Sequence, residues 1–324
     1  MPFLKQGQLK DYAYYKTGGT CDLLCAPESV EELAEHVKEI QKRQLPLQLL
    51  GGGTNSLVID EHFAGAFVIF SKMNQVQLSS AKITAGAGVD NSVIPALALG
   101  HKLSGASWMN GLPGQIGGTV RMNARCYGGE ISQIVTKVTA VTRAGEIKTY
   151  TDPKMFRGYK DTVFMENGDL IAGIEIELKP GGDPKEIQDK MLFCRGDREK
   201  KHQYDYPSCG CVFKNDYAVG VSSGILLDEA GAKELKHKGA EVSPDHANFV
   251  FNKGTTSSAI LEISIMMRNQ VYDRFGVWMD YEMEILGTPP ADLAKIVTEK
   301  KPGRWREKSF AERLEPLRQK MAGR

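Results

Sequence analysis

Two glycine clusters constrain this chain more tightly than any other feature of its 324 residues. Gly51-Gly52-Gly53 follows directly on Leu45-Pro46-Leu47-Gln48-Leu49-Leu50, which reads as a strand running into a loop. The second cluster runs from Gly105 to Gly129. Its centre, Gly111-Leu112-Pro113-Gly114-Gln115-Ile116-Gly117-Gly118, puts four glycines and a proline into eight residues. A turn needs far fewer special residues. Glycine admits close backbone approach and positive φ, so such a loop can lie against a flat ring system and offer N–H and C=O groups to its edge. Neither cluster carries a P-loop lysine or a GxGxxG at a strand-to-helix junction. The backbone N–H groups of the first can still form an anion nest for a diphosphate, with Thr54 and Asn55 adding short donors.

Around these loops the pattern is α+β. Ser29-Val30-Glu31-Glu32 has capping-box spacing, and Val30, Leu33, Val37 and Ile40 follow on one helical face. Strands are expected at Phe67–Phe70, Val76–Leu78, Ile83–Ala85, Val135–Thr142, Ile147–Tyr150 and Leu170–Leu178, with a helix over Ser92–Leu103 and another over about Lys185–Lys201. A third block has a helix at Ile225–Ala230, a strand at Phe249–Phe251, and a helical face formed by Ile260, Ile263, Met267 and Val271. Trp278–Leu286 reads as a final strand, with Met279, Tyr281, Met283 and Ile285 alternating against Asp280, Glu282 and Glu284. Two short helical patterns flank Pro302-Gly303.

The length fits two domains or one large one, and 41% hydrophobic with 25% charged residues is ordinary globular composition. A net charge of +1 gives no global field for nucleic acid or an anionic membrane. That charge is segregated. Residues 288–324 hold ten basic and five acidic side chains, +5, which leaves the preceding 287 residues at −4. The tail reads as a solvated appendage that packs one apolar side, with a binding arm as the alternative. Met1-Pro2-Phe3-Leu4-Lys5 has no basic segment leading into an apolar one, and no run of about 18 apolar residues occurs, so a soluble cytosolic protein without membrane insertion is expected. Six cysteines are too few for a disulfide scaffold, and the CxxxC of Cys21 and Cys25 has no second pair to complete a zinc site. Reduced thiols and no metal are expected.

The motifs form an ordered series. Tyr15-Lys16-Thr17-Gly18-Gly19 precedes Gly51-Gly52-Gly53-Thr54-Asn55. The second glycine loop follows, extended to Met122-Asn123-Ala124, then Tyr127-Gly128-Gly129-Glu130 and Gly158-Tyr159-Lys160-Asp161-Thr162. Pro207-Ser208-Cys209-Gly210-Cys211-Val212-Phe213-Lys214-Asn215, Glu241-Val242-Ser243 with His246, and Glu282 before Ile285-Leu286-Gly287 close it. Over roughly residues 10–287 this resembles the UDP-N-acetylenolpyruvoylglucosamine reductase family, in its shorter form. The resemblance implies an α+β protein with the FAD-binding fold of the vanillyl-alcohol-oxidase (PCMH) type: two α/β subdomains holding FAD and a smaller α+β domain closing over substrate. The implied boundaries are 1–73 and 74–203 for the FAD subdomains, the second taking the final strand 277–287, then 204–276 for substrate and 288–324 for a basic helical tail. It further implies oxidation of NADPH at the flavin and hydride transfer to the enolpyruvyl ether of UDP-N-acetylglucosamine, giving UDP-N-acetylmuramate for peptidoglycan. The partner is then a UDP-sugar rather than nucleic acid, and a monomer is expected.

Carried over residue by residue, the resemblance puts cofactor contacts on Gly51, Gly52, Gly53, Thr54, Asn55, Ser56, Gly111, Pro113, Gly114, Gly117, Gly118 and Asn123. It puts substrate contacts on Tyr159, Lys214 and Asn215, and catalysis on Lys160, Cys211 and Glu282. Two catalytic positions depart from the family. Lys160 stands for an arginine, keeping the charge but losing the planar fork. Cys211 stands for the serine that gives the proton; a thiol, with an ordinary pKa of about 8.5, is the stronger acid. Glu282 is unchanged and would hydrogen-bond the enol or assist the donor through water. His246 is expected to be structural, and Arg125 falls where the family has glycine. These departures keep two rival readings open: an FAD-dependent paralogue acting on another substrate or as an oxidase, and a flavin-binding protein with little catalysis.

Overall fold

The computed structural model describes residues 7–322, so the N-terminal pentapeptide behind the cytosolic expectation lies outside them. The chain forms two compact units. The first is built from Cys21–Gly52 and Ala64–Lys200. The second takes Gln8–Thr20, Gly53–Phe63 and the chain from Lys201 onward. The boundary falls inside the glycine triplet, between Gly52 and Gly53.

In the first unit, helix α1 (Val30–Lys42) starts where the capping signal placed it. Ser29 Oγ accepts the Glu32 N–H at 3.1 Å, and the Glu32 carboxylate reaches back to the Glu28 N–H at 2.8 Å. Leu33, Val37 and Ile40 are fully buried and share one core with Ile83, Ala85, Val138, Ala140, Ile174 and Ile176. Those residues belong to a five-stranded antiparallel sheet in the order Ile147–Tyr150, Val135–Val141, Leu170–Glu177, Lys82–Gly86, Val76–Ser79. Ile174 lies opposite Val138 on one side and Ala85 on the other. A smaller sheet has Phe63–Ile69 between Cys21–Cys25 and Leu47–Leu50, the last pairing in parallel and delivering the chain into the glycine triplet. Helix α2 (Val93–Gly100) is shorter than the pattern suggests. His101 follows it, Lys102 adopts φ 55°, and Leu103–Ser104 forms a short strand with Lys179–Pro180. Helices α3 (Ile116–Arg121), α4 (Val163–Asn167) and α5 (Pro184–Lys200) complete the unit.

The second unit centres on α7 (Ser257–Phe275), preceded by α6 (Ser223–Glu229) and followed by α8 (Ala291–Thr298) and α9 (Lys308–Ala322). Thr256 Oγ1 caps α7 at the Ala259 N–H, and Gly276, at φ 66°, ends it. Ile260, Ile263, Met267 and Val271 are buried, as their spacing predicts. A three-stranded antiparallel sheet, Lys236–His237, Ala240–Val242 and Val250–Asn252, packs beside α7. In the tail, Leu293, Phe310, Leu314 and Leu317 are buried, and the helices fall on either side of Pro302-Gly303. Among the described residues no helix is long and apolar enough to cross a membrane.

The final strand departs from its sequence pattern. Only Glu284–Leu286 is regular strand, paired in parallel with Ser56–Val58. Upstream, Glu282 and Met283 are both buried, so strict alternation fails at that point. The cause is a backbone irregularity: the N–H groups of Glu282 and Met283 both donate to the Val212 carbonyl, at 2.8 and 3.2 Å. Two residues facing one is the arrangement of a β-bulge, which re-aims side chains.

Because Leu33 sits fully buried between α1 and the sheet, Leu33→Ala should lower the stability of the first unit by about 2–5 kcal/mol in denaturant unfolding. A change below about 1 kcal/mol would mean that α1 is not docked this way.

Candidate functional site

In the first unit the two glycine clusters meet. A side chain on Gly52 would bring its Cβ to 3.0 Å from the Gly114 Cα, so any larger residue at position 52 would press the two loops apart. The second loop is stitched to the segment before α2. The Ile116 N–H donates to the Val89 carbonyl at 2.8 Å, Gly117 N–H to Ala87 at 2.9 Å, and Asn91 N–H to Gly114 at 3.0 Å. Thr119 Oγ1 donates to Asn91 Oδ1 at 2.8 Å, and Asn91 Nδ2 to the Pro113 carbonyl at 3.3 Å. Gly111 and Gly114 both take positive φ. The loop is therefore rigid before any ligand arrives. Two of its buried acceptors, Gln115 Oε1 and Asn123 Oδ1, have no protein partner. Buried acceptors left this way are costly, and a ring edge bearing N–H groups would satisfy them.

Asn123 also joins this loop to a hairpin. At φ 41°, it donates Nδ2 to Glu130 Oε1 at 2.6 Å and to the Gly158 carbonyl at 2.9 Å. The hairpin strands are Phe156–Gly158 and Asp161–Thr162, and Thr162 Oγ1 ties back to the Arg121 carbonyl at 2.7 Å. Tyr159 and Lys160 form the tip. Lys160, at φ 53°, occupies a turn position that ordinarily favours glycine or asparagine. The Arg125 guanidinium lies over the Tyr159 ring, 4.4 Å from its centroid. Burial pushes the Cys126 thiol up, and the Arg198 and Lys160 charges nearby oppose that shift. Tyr159, Lys160 and Arg125 thus form one cationic and aromatic cluster. Arg125 and Tyr159 are 34 residues apart in the chain, and no local pattern signals their contact.

In the second unit Cys211 and Glu282 lie on crossing segments. Cys211 bridges to Phe249, Phe213 bridges to Tyr281, and Val212 between them accepts both amides of the bulge. Cys211 is partly exposed and Glu282 is 9% exposed. Burial pushes the Cys209 thiol far above its ordinary range. A hydrogen bond from Tyr15 opposes that shift, while the charges of Cys211 and Glu282 add to it. Cys209, Cys211 and Glu282 therefore share one neighbourhood, and all six cysteines are free thiols.

Asn55, expected at the cofactor, donates Nδ2 to the Glu282 carbonyl at 2.9 Å, and its own carbonyl accepts the Glu284 N–H. Gly53, at φ 67°, packs its α-carbon against Ala13 and Tyr14, where a Cβ would sit 2.7 Å from the Tyr14 nitrogen. Thr54 leads from there to Asn55, and Ser56 opens the strand paired with Glu284. Lys214 N–H donates to the Asp280 carbonyl, holding the two segments together one step further on. Asn215 Oδ1 accepts both the N–H and the hydroxyl of Ser223 at 2.9 Å, covering an open amide at the start of α6.

Asn248, 1% exposed, was not singled out by any sequence pattern. Its Oδ1 accepts the Phe213 N–H at 3.0 Å. Its Nδ2 donates to the Phe213 carbonyl and to Ser223 Oγ, both at 2.9 Å, and its carbonyl accepts the Val212 N–H. One side chain thus fixes the backbone just after Cys211. His246 packs its ring on Phe249 and accepts the Asn248 N–H through Nδ1; burial holds it below the usual imidazole range. That is the structural role expected of it.

Residues 21–151 match the family described as FAD binding domain, and residues 202–286 match the C-terminal domain of UDP-N-acetylenolpyruvoylglucosamine reductase. The reductase of that name from Lactobacillus acidophilus is 33% identical over 284 residues, spanning 87% of this chain and 94% of its own length. The one from Streptococcus suis is 35% identical over 286 residues, spanning 88% and 94%. The crystal structure of the Thermus caldophilus reductase superposes with a TM-score of 0.74 at 29% identity, over 88% of this chain and 99% of that one.

Gly118 has open space where a side chain would project. Gly118→Val should therefore leave the far-UV circular dichroism unchanged while lowering the flavin content of the purified protein several-fold. Full flavin content in that variant would place the ligand elsewhere.

Proposed function

The chain belongs to the UDP-N-acetylenolpyruvoylglucosamine reductase family, and we propose on that premise that it reduces the enolpyruvyl ether of UDP-N-acetylglucosamine to UDP-N-acetylmuramate in peptidoglycan synthesis, with FAD as cofactor and NADPH as hydride source. The fold is the FAD-binding α+β type that the family resemblance implies. The first unit takes the flavin, where Gly51 and Gly52 with the loop from Gly111 to Gly118 form the cradle and Gln115 and Asn123 supply the unpartnered acceptors. Lys214 and Asn215 of the second unit are assigned to the anionic groups of the UDP-sugar, and Tyr159, at the hairpin tip of the first unit, to stacking or hydrogen bonding with it. The enzyme is cytosolic and works as a monomer.

FAD held by Gly51, Gly52 and the Gly111–Gly118 loop would supply the redox chemistry, the relay of hydride from NADPH to the terminal alkene carbon. The chain's own residues deal with what that leaves: negative charge developing toward the carboxylate, and an adjacent carbon that needs a proton. Lys160 stabilises the charge as a point cation, and Arg125, lying over Tyr159, adds a planar guanidinium to the same cluster. Cys211 gives its thiol proton to the carbon and is reprotonated from solvent, so the net change in substrate is one hydride and one proton. Glu282 hydrogen-bonds the developing enol. The observation that carries this assignment is the bulge at Val212, which brings the segments of Cys211 and Glu282 together and turns Glu282 inward.

In Cys211→Ala, anaerobic reduction of the flavin by NADPH should stay within about twofold of the parent, while reoxidation by the enolpyruvyl substrate falls about 10²–10⁴-fold, the usual worth of a positioned acid. Cys211→Ser should recover most of the second step. Equal losses in both half-reactions would remove Cys211 as donor.

Thiol labelling gives an independent check. Cys126 and Cys211 should be alkylated first, since Cys21, Cys25, Cys194 and Cys209 are buried and burial pushes the Cys25 thiol up to about 12. Substrate should protect Cys211 selectively. Full activity after complete labelling of Cys211 would contradict the assignment.

A further inference from the structure

The basic tail lies beyond both matched family segments, which end at residues 151 and 286. It is nonetheless tied to the site through a buried cation. Arg268, on the inner face of α7, is 2% exposed, and among the described residues no carboxylate pairs with its guanidinium. Its Nη2 donates to the Ile296 carbonyl at 2.6 Å and its Nη1 to the Val297 carbonyl at 3.2 Å. These are carbonyls of the last turn of α8, the negative end of that helix. The guanidinium also lies 4.0 Å from the centroid of Trp278 and 4.9 Å from that of Tyr281. A buried charge is tolerated only when the groups around it compensate its lost hydration. Here those groups are the tail's carbonyls and two aromatic faces, with the Glu299 and Asp280 carboxylates acting from further away.

Tyr281 is the residue before Glu282. Its ring is held between the Arg268 guanidinium and Phe213, 5.0 Å away, and its hydroxyl bonds Ser264 Oγ at 3.0 Å. Further links run alongside. Trp278 Nε1 donates to the Glu299 carbonyl at 3.0 Å, Arg304 N–H to the Gly276 carbonyl at 2.7 Å, and Tyr272 Oη to Pro302 at 3.3 Å. We propose that the C-terminal tail is a positioning element for the reaction: through Arg268 it clamps Trp278 and Tyr281 and so fixes the bulge that turns Glu282 inward. Arg268 is the positioning residue, and the proposal rests on the role of Glu282 stated above.

The test uses full-length holoenzyme carrying Arg268→Met, Arg268→Lys or Trp278→Leu. Hydrogen exchange of peptides covering 279–286 is followed beside the two anaerobic half-reactions. The amides of Glu282 and Met283, bonded to Val212, and of Glu284, bonded to Asn55, report the bulge directly. Arg268→Met and Trp278→Leu should speed their exchange at least about tenfold. Reoxidation by the enolpyruvyl substrate should slow by about tenfold or more at saturating substrate, with reduction by NADPH within twofold of the parent. Arg268→Lys, which keeps the charge without the fork, should fall between. Unchanged exchange in both Arg268→Met and Trp278→Leu would overturn the clamp. Faster exchange with reoxidation intact would overturn the tail as a positioning element for the reaction, and a loss of reoxidation in Glu282→Gln would show the role of Glu282 to stand apart from it.

Discussion

The Val212 carbonyl holds together the segments that carry Cys211 and Glu282. It accepts two consecutive amides, those of Glu282 and Met283, from a segment far along the chain. That shared acceptor breaks the strand's alternation and leaves Glu282 buried beside Met283. The rest of the unit supports this junction. Asn248 fixes Val212 and Phe213 from one side, Asn55 holds the Glu282 carbonyl from another, and Lys214 and Asp280 pair one step beyond. Each is a hydrogen bond in a largely buried setting, where a lost partner costs more than a formed one gains. The junction is therefore specified by several groups at once.

The first unit follows a different logic. There the glycines matter because neighbouring backbone takes the space of a side chain, as at Gly52 against Gly114. Rigidity comes from the Asn91 and Thr119 bonds that stitch the loop down. A cradle built this way is formed before its ligand binds, and the unpartnered acceptors of Gln115 and Asn123 remain to be answered by that ligand.

What the sequence made legible was local. The Ser29 cap, the buried face of α1 and the face of α7 depend on spacings of three or four residues, and all appear where those spacings put them. The glycine loops were legible because their composition has few other uses. The bulge was not, since Trp278–Leu286 alternates cleanly on its own and is disrupted only by a partner far upstream. Asn248 escaped notice for the same reason: Phe213 and Ser223, its partners, lie 35 and 25 residues away. Lys160 sits at positive φ with no local sign of it. The segregated tail charge suggested an appendage packing one apolar side. Leu293, Leu314 and Leu317 do pack, while the coupling through Arg268 depends on α8 carbonyls that no side-chain pattern reveals.

The proposed reaction takes hydride from NADPH and delivers it to an enolpyruvyl UDP-sugar. Anaerobic stopped-flow absorbance of the flavin tests it most directly. NADPH should bleach the visible band, and one equivalent of UDP-N-acetylglucosamine enolpyruvate should restore it in a single turnover with formation of UDP-N-acetylmuramate. A flavin that NADPH bleaches and only oxygen restores, or that NADPH fails to bleach, would contradict the account.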